Sequence, residues 1–374
     1  MAQRRSTEQL RSTEKIGMIS PDEGCFSAAS GSAESLRSDR TRTRYNDERD
    51  TTKTGSAEEK ERVFPPEQKT AKMPVCKDSE VYNMNHKYRG KCIVFNHENF
   101  DDHAPKREGT HKDAERIKET FQKLEFTVVV HDDLYLDDIR DKIKKQSENM
   151  LNNLSSTRKS EYFLYTVSEE DHTDNDCVCI FVLTHGSRYN VLKSRDGLFY
   201  IEDIWKPFTA DNCQSLAGKP KIIFIQACKG ERLDGGIKMQ ARSASFTVTD
   251  GSVSDYKIPT HTDFLFGFST VEALAYTIPT HSDFLIAHST IEEFYSWRNP
   301  VEGTWYIQCL CNVLEEHYLT KDLIKMLTIT NRKVATEYAS YNTSDMREHD
   351  QKQASFYQSM LIRDLYFLPK TDTQ

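Results

Sequence analysis

The stretch KPKIIFIQACKGERLDGG, Lys219 to Gly236, holds an apolar run, Ile222-Ile223-Phe224-Ile225, that stops abruptly at Gln226-Ala227-Cys228-Lys229-Gly230. Such a run of β-favouring residues reads as a buried strand. Its tip carries one cysteine between small residues, followed by a glycine. That placement needs a reason, because a cysteine used only for packing would sit within the run.

The surrounding sequence supplies one. Gly90–Asn96, Thr127–Val130, Cys177–Thr184 (CVCIFVLT), Asp283–Ser289 and Tyr357–Ile362 also read as strands. Between them lie helical patterns. Thr110 and Asp113 read as a capping pair before Ala114, Ile117, Phe121 and Leu124. Leu136–Lys145, Thr304–His317 and Asp322–Tyr338 read as further helices, and Asp196-Gly197 as a hairpin turn. Short apolar strands alternating with helices predict an α/β fold with a mainly parallel sheet covered on both faces. Ligand sites in such sheets lie beyond the carboxyl ends of the strands. Two strands end in reactive groups, CVCIFVLT in His185-Gly186 and KIIFIQA in Cys228. A thiol and an imidazole at neighbouring strand ends form a nucleophile with a proton-transfer partner. The amides of Gly186 and Cys228 could then form an oxyanion hole.

Composition narrows the class further. The net charge is −8 with no block of consecutive Lys or Arg, which gives no footprint for nucleic acid or an anionic membrane. No apolar run is long enough to span a bilayer, and the first residues lack the apolar centre of a secretory signal. The cysteines number nine, and neither Cys177/Cys179 nor Cys309/Cys311 has zinc-site spacing, so no metal and no cofactor are expected. A reducing, cytoplasmic setting fits this usage. Residues 1–80, rich in Ser, Thr, Glu, Arg and Lys, read as a disordered N-terminal segment.

Taken together in chain order, the motifs resemble those of the caspases, over roughly residues 82–368. They are Arg107-Glu108-Gly109-Thr110, Thr184-His185-Gly186, Gln226-Ala227-Cys228-Lys229-Gly230, Tyr295-Ser296-Trp297-Arg298-Asn299 and Asn331–Glu337. The family's nucleophile motif has Arg, Gln or Gly after the cysteine and a histidine about 50 residues upstream. Here Lys229 follows, and the histidine is residue 185 against 228, a separation of 43. The resemblance implies a three-layer fold with a mostly parallel six-stranded sheet. It also implies an endopeptidase that cleaves after aspartate, with Cys228 as nucleophile and His185 oriented by the backbone of Pro105. Arg107, Gln226 and Arg298 would line the S1 pocket, where two guanidiniums and an amide suit a small carboxylate. Tyr295 and Trp297 would wall S2, and Asn299 and Trp305 would border S4, with an Asp-x-x-Asp preference. For Trp305 ordinary core packing stays open.

Caspases are zymogens cut after aspartates, which implies a large subunit over 82–250 and a small subunit over 251–374. In the polar segment 232–255 Asp250 is favoured as the processing site, with Asp255 and Asp234 as alternatives; Asp50 would release a short N-terminal prodomain. An insect-like effector with an executioner role in apoptosis is expected. Its partners would be protein substrates with exposed aspartates, an upstream initiator caspase, inhibitor-of-apoptosis proteins, and a second processed heterodimer. The rival reading is a catalytically weak homologue that acts as a decoy.

Two features depart from the family pattern. Tyr256–Ala275 and Tyr276–Tyr295 are tandem copies, identical at 11 of 20 positions. Only the second runs directly into Ser296-Trp297-Arg298-Asn299, so it is assigned the native strand; the first would be surplus, a longer linker or a competitor for the same slot. Ser147–Val167 interrupts a connection that is shorter in the family.

Overall fold

The computed structural model describes residues 74–135, 167–168, 170–239, 256–263 and 282–370. The Leu136–Lys145 helix, nearly all of the 147–167 insertion, Asp50, Asp250, Asp255 and the subunit boundary lie outside the described residues.

In chain order the elements are β1 (Lys91–Asn96), α1 (Thr110–Lys123), β2 (Thr127–Asp132), β3 (Val178–Leu183), β4 (Val191–Lys193), β5 (Leu198–Tyr200), α2 (Ile201–Trp205) and β6 (Lys221–Gln226). There follow β7 (Ile237–Met239), β8 (Tyr256–Ile258), β9 (Phe284–His288), β10 (Arg298–Asn299), β11 (Gly303–Thr304), α3 (Trp305–His317), α4 (Leu323–Glu337) and β12 (Phe356–Ser359). One six-stranded sheet runs β12-β9-β6-β3-β1-β2. All its pairings are parallel except β12 with β9.

The continuous apolar runs of the central strands follow from burial on both faces. In β3, Cys179, Phe181 and Leu183 enter a core shared with α1, α3 and α4. Val178, Ile180 and Val182 enter a second core with Ile201, Ile204 and Phe208. β6 splits the same way, Ile222 and Phe224 against Ile223 and Ile225. Stacked Phe181 and Phe224, 4.6 Å apart, tie the two strands across the first core. α4 is capped by Asp322, whose side chain accepts from the Lys325 amide at 3.0 Å and so satisfies one of the helix's free first-turn donors.

The described residues ahead of β1 are packed against the body. Tyr82 is buried and donates to Asp283 at 2.8 Å. Arg89 itself is buried, donating to Asp176, Glu125 and the Leu124 and Met84 carbonyls.

The duplication is divided between two places. The second copy supplies β9, paired with β6 and β12. The first copy is not wholly surplus: its Tyr256–Ile258 forms β8, an antiparallel ribbon with β7. Asp263 and Asp283, equivalent in the two copies, share a left-handed backbone, φ 66° and 69°. Asp234 is buried and accepts from the Gly236 amide and from the Thr260 amide and hydroxyl, so it lies in ordered structure rather than in an exposed linker.

Candidate functional site: the carboxyl ends of β3 and β6

Parallel pairing sets Leu183 opposite Gln226. Two residues further along each strand come His185 and Cys228, so the sheet register itself carries the imidazole and the thiol to one end. Between them the backbones nearly touch. A Cβ on Gly186 would lie 2.4 Å from the Cys228 carbonyl oxygen and 2.9 Å from the Ala227 Cβ. Only glycine allows that approach.

His185 has one ring nitrogen engaged: Nε2 lies 2.7 Å from the Pro105 carbonyl. A carbonyl only accepts, so Nε2 carries the proton and Nδ1 is the basic nitrogen. The ring also packs at 4.8 Å against Phe100. Burial, chiefly, holds the imidazole below its usual range; the Pro105 bond opposes this, while Arg107, Arg298 and Lys193 reinforce it. The Cys228 thiol is pushed up by burial and pulled back by the Ser296 amide, Arg107 and Arg298. That amide points at Sγ from 3.4 Å. At neutral pH the resting pair is therefore uncharged.

Arg107, Gln226 and Arg298 converge beside this thiol. Arg107 is buried; its Nη1 donates to the His97 carbonyl at 2.9 Å and to the Thr110 hydroxyl at 2.8 Å. Burial first, and Arg298 second, lower it to about 9, which leaves it charged at neutral pH. Arg298 donates through Nε to the Glu108 carbonyl at 2.8 Å. Gln226 donates to Ser296 Oγ at 2.7 Å, while its buried Oε1 has no partner. The two guanidiniums make the surroundings of the thiol electropositive, and what Gln226 can offer an anion is its second Nε2 hydrogen, not its unpartnered oxygen, which only accepts.

Thr110 and Asp113 do not cap α1 as a pair. Gly109 is the N-cap, with no side-chain bond to the helix. Thr110 instead donates to Asn96 Oδ1 at 2.7 Å. Asp113 accepts from the Thr304 amide at 2.9 Å and from Gln308 at 3.0 Å. Gly303, at φ 99°, presses so close that a Cβ would lie 2.4 Å from Asp113 Oδ1. Burial raises Asp113 to about 6. Both residues were visible in the sequence, but they serve tertiary contacts around the arginines.

The aromatic residues form one row: Tyr295 to Trp297 at 6.4 Å, Trp297 to Trp305 at 5.8 Å, Trp305 to Tyr338 at 5.5 Å. Buried Gln353, missed in the sequence, holds this row by accepting the Trp297 amide at 2.7 Å and donating to the Ser289 carbonyl at 2.8 Å. Asn299 caps a turn, its Oδ1 accepting from the amides of Val301 and Glu302.

The model of the caspase domain matches residues 89–366. The chain belongs to the caspase family. Caspase-1 of Spodoptera frugiperda is 38% identical over 301 residues, spanning 80% of this chain and 85% of that protein. Caspase drICE of Drosophila melanogaster is 36% identical over 301 residues, 80% of this chain and 76% of the relative. Bovine Caspase-3 is 33% identical over 290 residues, 77% and 88% respectively. The crystal structure of the Spodoptera caspase-1 superposes with a TM-score of 0.63 at 35% identity, covering 82% of this chain and all of that one. The six-stranded, mostly parallel sheet is thus the caspase fold. Among the described residues no helix is long and apolar enough to cross a membrane.

Proposed function

We propose that this caspase is an active cysteine endopeptidase that cleaves after aspartate. The observation that carries the reading is the shared register of β3 and β6, which brings His185 and Cys228 to one strand end beside Arg107 and Arg298. The proton of the Cys228 thiol passes to His185 Nδ1, and Sγ bonds to the scissile carbonyl carbon. The resulting oxyanion accepts from the amides of Gly186 and Cys228. His185, held by Pro105, then gives its proton to the departing amine. Water hydrolyses the thioester and releases the thiol.

Arg107, Gln226 and Arg298 grip the P1 carboxylate by charge-assisted bonds. Tyr295 and Trp297 form S2; Asn299 and Trp305 border S4, where an acidic P4 residue completes an Asp-x-x-Asp preference. Cleavage at Asp250 yields large and small chains, and cleavage at Asp50 removes a prodomain. The effector-type relatives support an executioner role in apoptosis, in the cytoplasm, under an upstream initiator caspase and inhibitor-of-apoptosis proteins. The outer edge of β12, last in the six-stranded sheet among the described residues, suits a dimer of processed heterodimers.

The test is expression of the full chain beside Cys228→Ala, with a denaturing gel and an Asp-Glu-Val-Asp reporter peptide. Self-cleavage and turnover by the wild type alone support the reading. An intact, silent wild type that stays silent after deletion of Tyr256–Ala275 would favour the decoy.

A further inference from the structure

The family's nucleophile motif allows Arg, Gln or Gly where this chain has Lys229. That lysine is nearly buried, lies over the Phe356 ring at 5.1 Å, and has the Glu292 carboxylate 3.4 Å from Nζ. The other oxygen of Glu292 accepts the Tyr189 amide at 3.0 Å. One side chain from the loop after β9 thus holds the residue next to Cys228 and the turn that follows His185-Gly186.

That turn needs holding. Tyr189 and Asn190 both have left-handed backbones, φ 63° and 59°, a conformation that persists only when its surroundings fix it. The turn is also short and stiff. Ser187 donates to the Val191 carbonyl and Lys193 to the His185 carbonyl, each at 3.0 Å, so a shift at Tyr189 passes back to Gly186. Gly186 lies against the Cys228 backbone, and the distance between their amides is what an oxyanion would sense. On the nucleophile side the loops are zipped together: Lys229 donates to the Phe294 carbonyl and Glu293 to the Lys229 carbonyl.

We infer that Glu292 is a positioning residue, a clamp that fixes the Gly186 turn against the Cys228 loop. Its effect on catalysis rests on the assignment of Cys228, His185 and Gly186 above. The clamp itself is a matter of loop order and is testable without turnover.

Hydrogen–deuterium exchange on the full chain compares wild type, Glu292→Ala and Glu292→Gln. Glu292→Ala should speed exchange in both 187–191 and 229–232 while leaving β1 unchanged. Glu292→Gln keeps an acceptor for the Tyr189 amide, so 187–191 should stay protected while 229–232 loosens. Turnover is then measured per active site, titrated with an irreversible aspartyl ketone. Glu292→Ala should lower kcat about tenfold, a fraction of the loss from deleting an oxyanion donor, with KM within about threefold. Glu292 is half exposed, so neither variant threatens folding. Unchanged exchange in both stretches overturns the clamp whatever the activity. Loosened loops with an unchanged kcat, or a loss confined to KM, overturn its link to catalysis. A wild type that is inactive, and stays so after deletion of Tyr256–Ala275, refutes the protease reading, and the exchange result still decides the clamp.

Discussion

The S1 assignment can be tested as a charge rather than as a contact, through Arg298→Gln. Arg298 is the better of the two arginines to change, because Arg107 is buried and tied to the His97 carbonyl and Thr110, so its loss would disturb the fold. Arg298 uses Nε for the Glu108 carbonyl, and among the described residues neither Nη has a partner, so both are open to a carboxylate. A hydrogen bond to a charged group contributes about 1.5–3 kcal/mol. Arg298 is only partly buried, so solvent screening places the loss near the lower end, at about 2 kcal/mol. That corresponds to about a thirtyfold fall in kcat/KM on an Asp peptide. The assay pairs this peptide with its Asn counterpart, which keeps shape and loses charge. On the Asn peptide the variant should fall less than about threefold, because the guanidinium has no charge to meet there. Equal losses on both peptides would refute the reasoning and make Arg298 a residue that shapes the pocket without reading the carboxylate.

Other outcomes follow from the same geometry. Burial holds the His185 imidazole below its usual range and Asp113 near 6, so on the acid side kcat/KM should fall only below pH 6.5, as the imidazole gains a second proton and Asp113 loses its charge, with a separate alkaline fall as Arg107 discharges near 9; an acid limb centred above 6.5 would contradict this. Cys228 lies above 9.0, so alkylation of the free enzyme by iodoacetamide should keep rising through pH 9.0; a plateau near neutrality would mean a preformed thiolate. Arg89→Met removes one partner of the buried Asp176, which keeps Lys370 at 2.7 Å and the His86 amide at 2.7 Å, so the loss should be about 1.5–3 kcal/mol and lower Tm by roughly 5 °C; an unchanged Tm would refute it.

The sheet and the Cys228–His185 site were legible because both depend on local pattern. A strand buried on both faces must be apolar throughout, and a polar or reactive residue at its end announces where burial stops. Thr110 and Asp113 show the limit of that logic. Their spacing is that of a helix cap, yet the side chains turn away to Asn96 and Thr304, partners that only the folded chain brings near. Chain order told the two copies apart, since only the second runs directly into Ser296-Trp297-Arg298-Asn299 and it supplies β9; what the sequence could not show is that the first would supply β8, because its partner β7 is found only in the folded chain. The pairing of Glu292 with Lys229 was invisible for the same reason as the role of Gln353: each joins loops that meet only after the strands have found their register.

The pairing of β6 with β9 has a consequence for any cut between Met239 and Tyr256. Five residue pairs of parallel ladder, Lys221↔Phe284 to Ile225↔His288, would then join two separate polypeptides. Both cores cross the same seam, since Leu285 and Ala287 share one with Phe224, and Phe284 and Ile286 share the other with Ile225. The nicked protein would thus be a single folded body made of two molecules, and dilution alone would not part them. Neither piece could keep its half of the site in isolation, for Cys228 would belong to one polypeptide and Arg298 to the other. The ladder and both cores lie outside that peptide link, so what holds the body together would survive its loss.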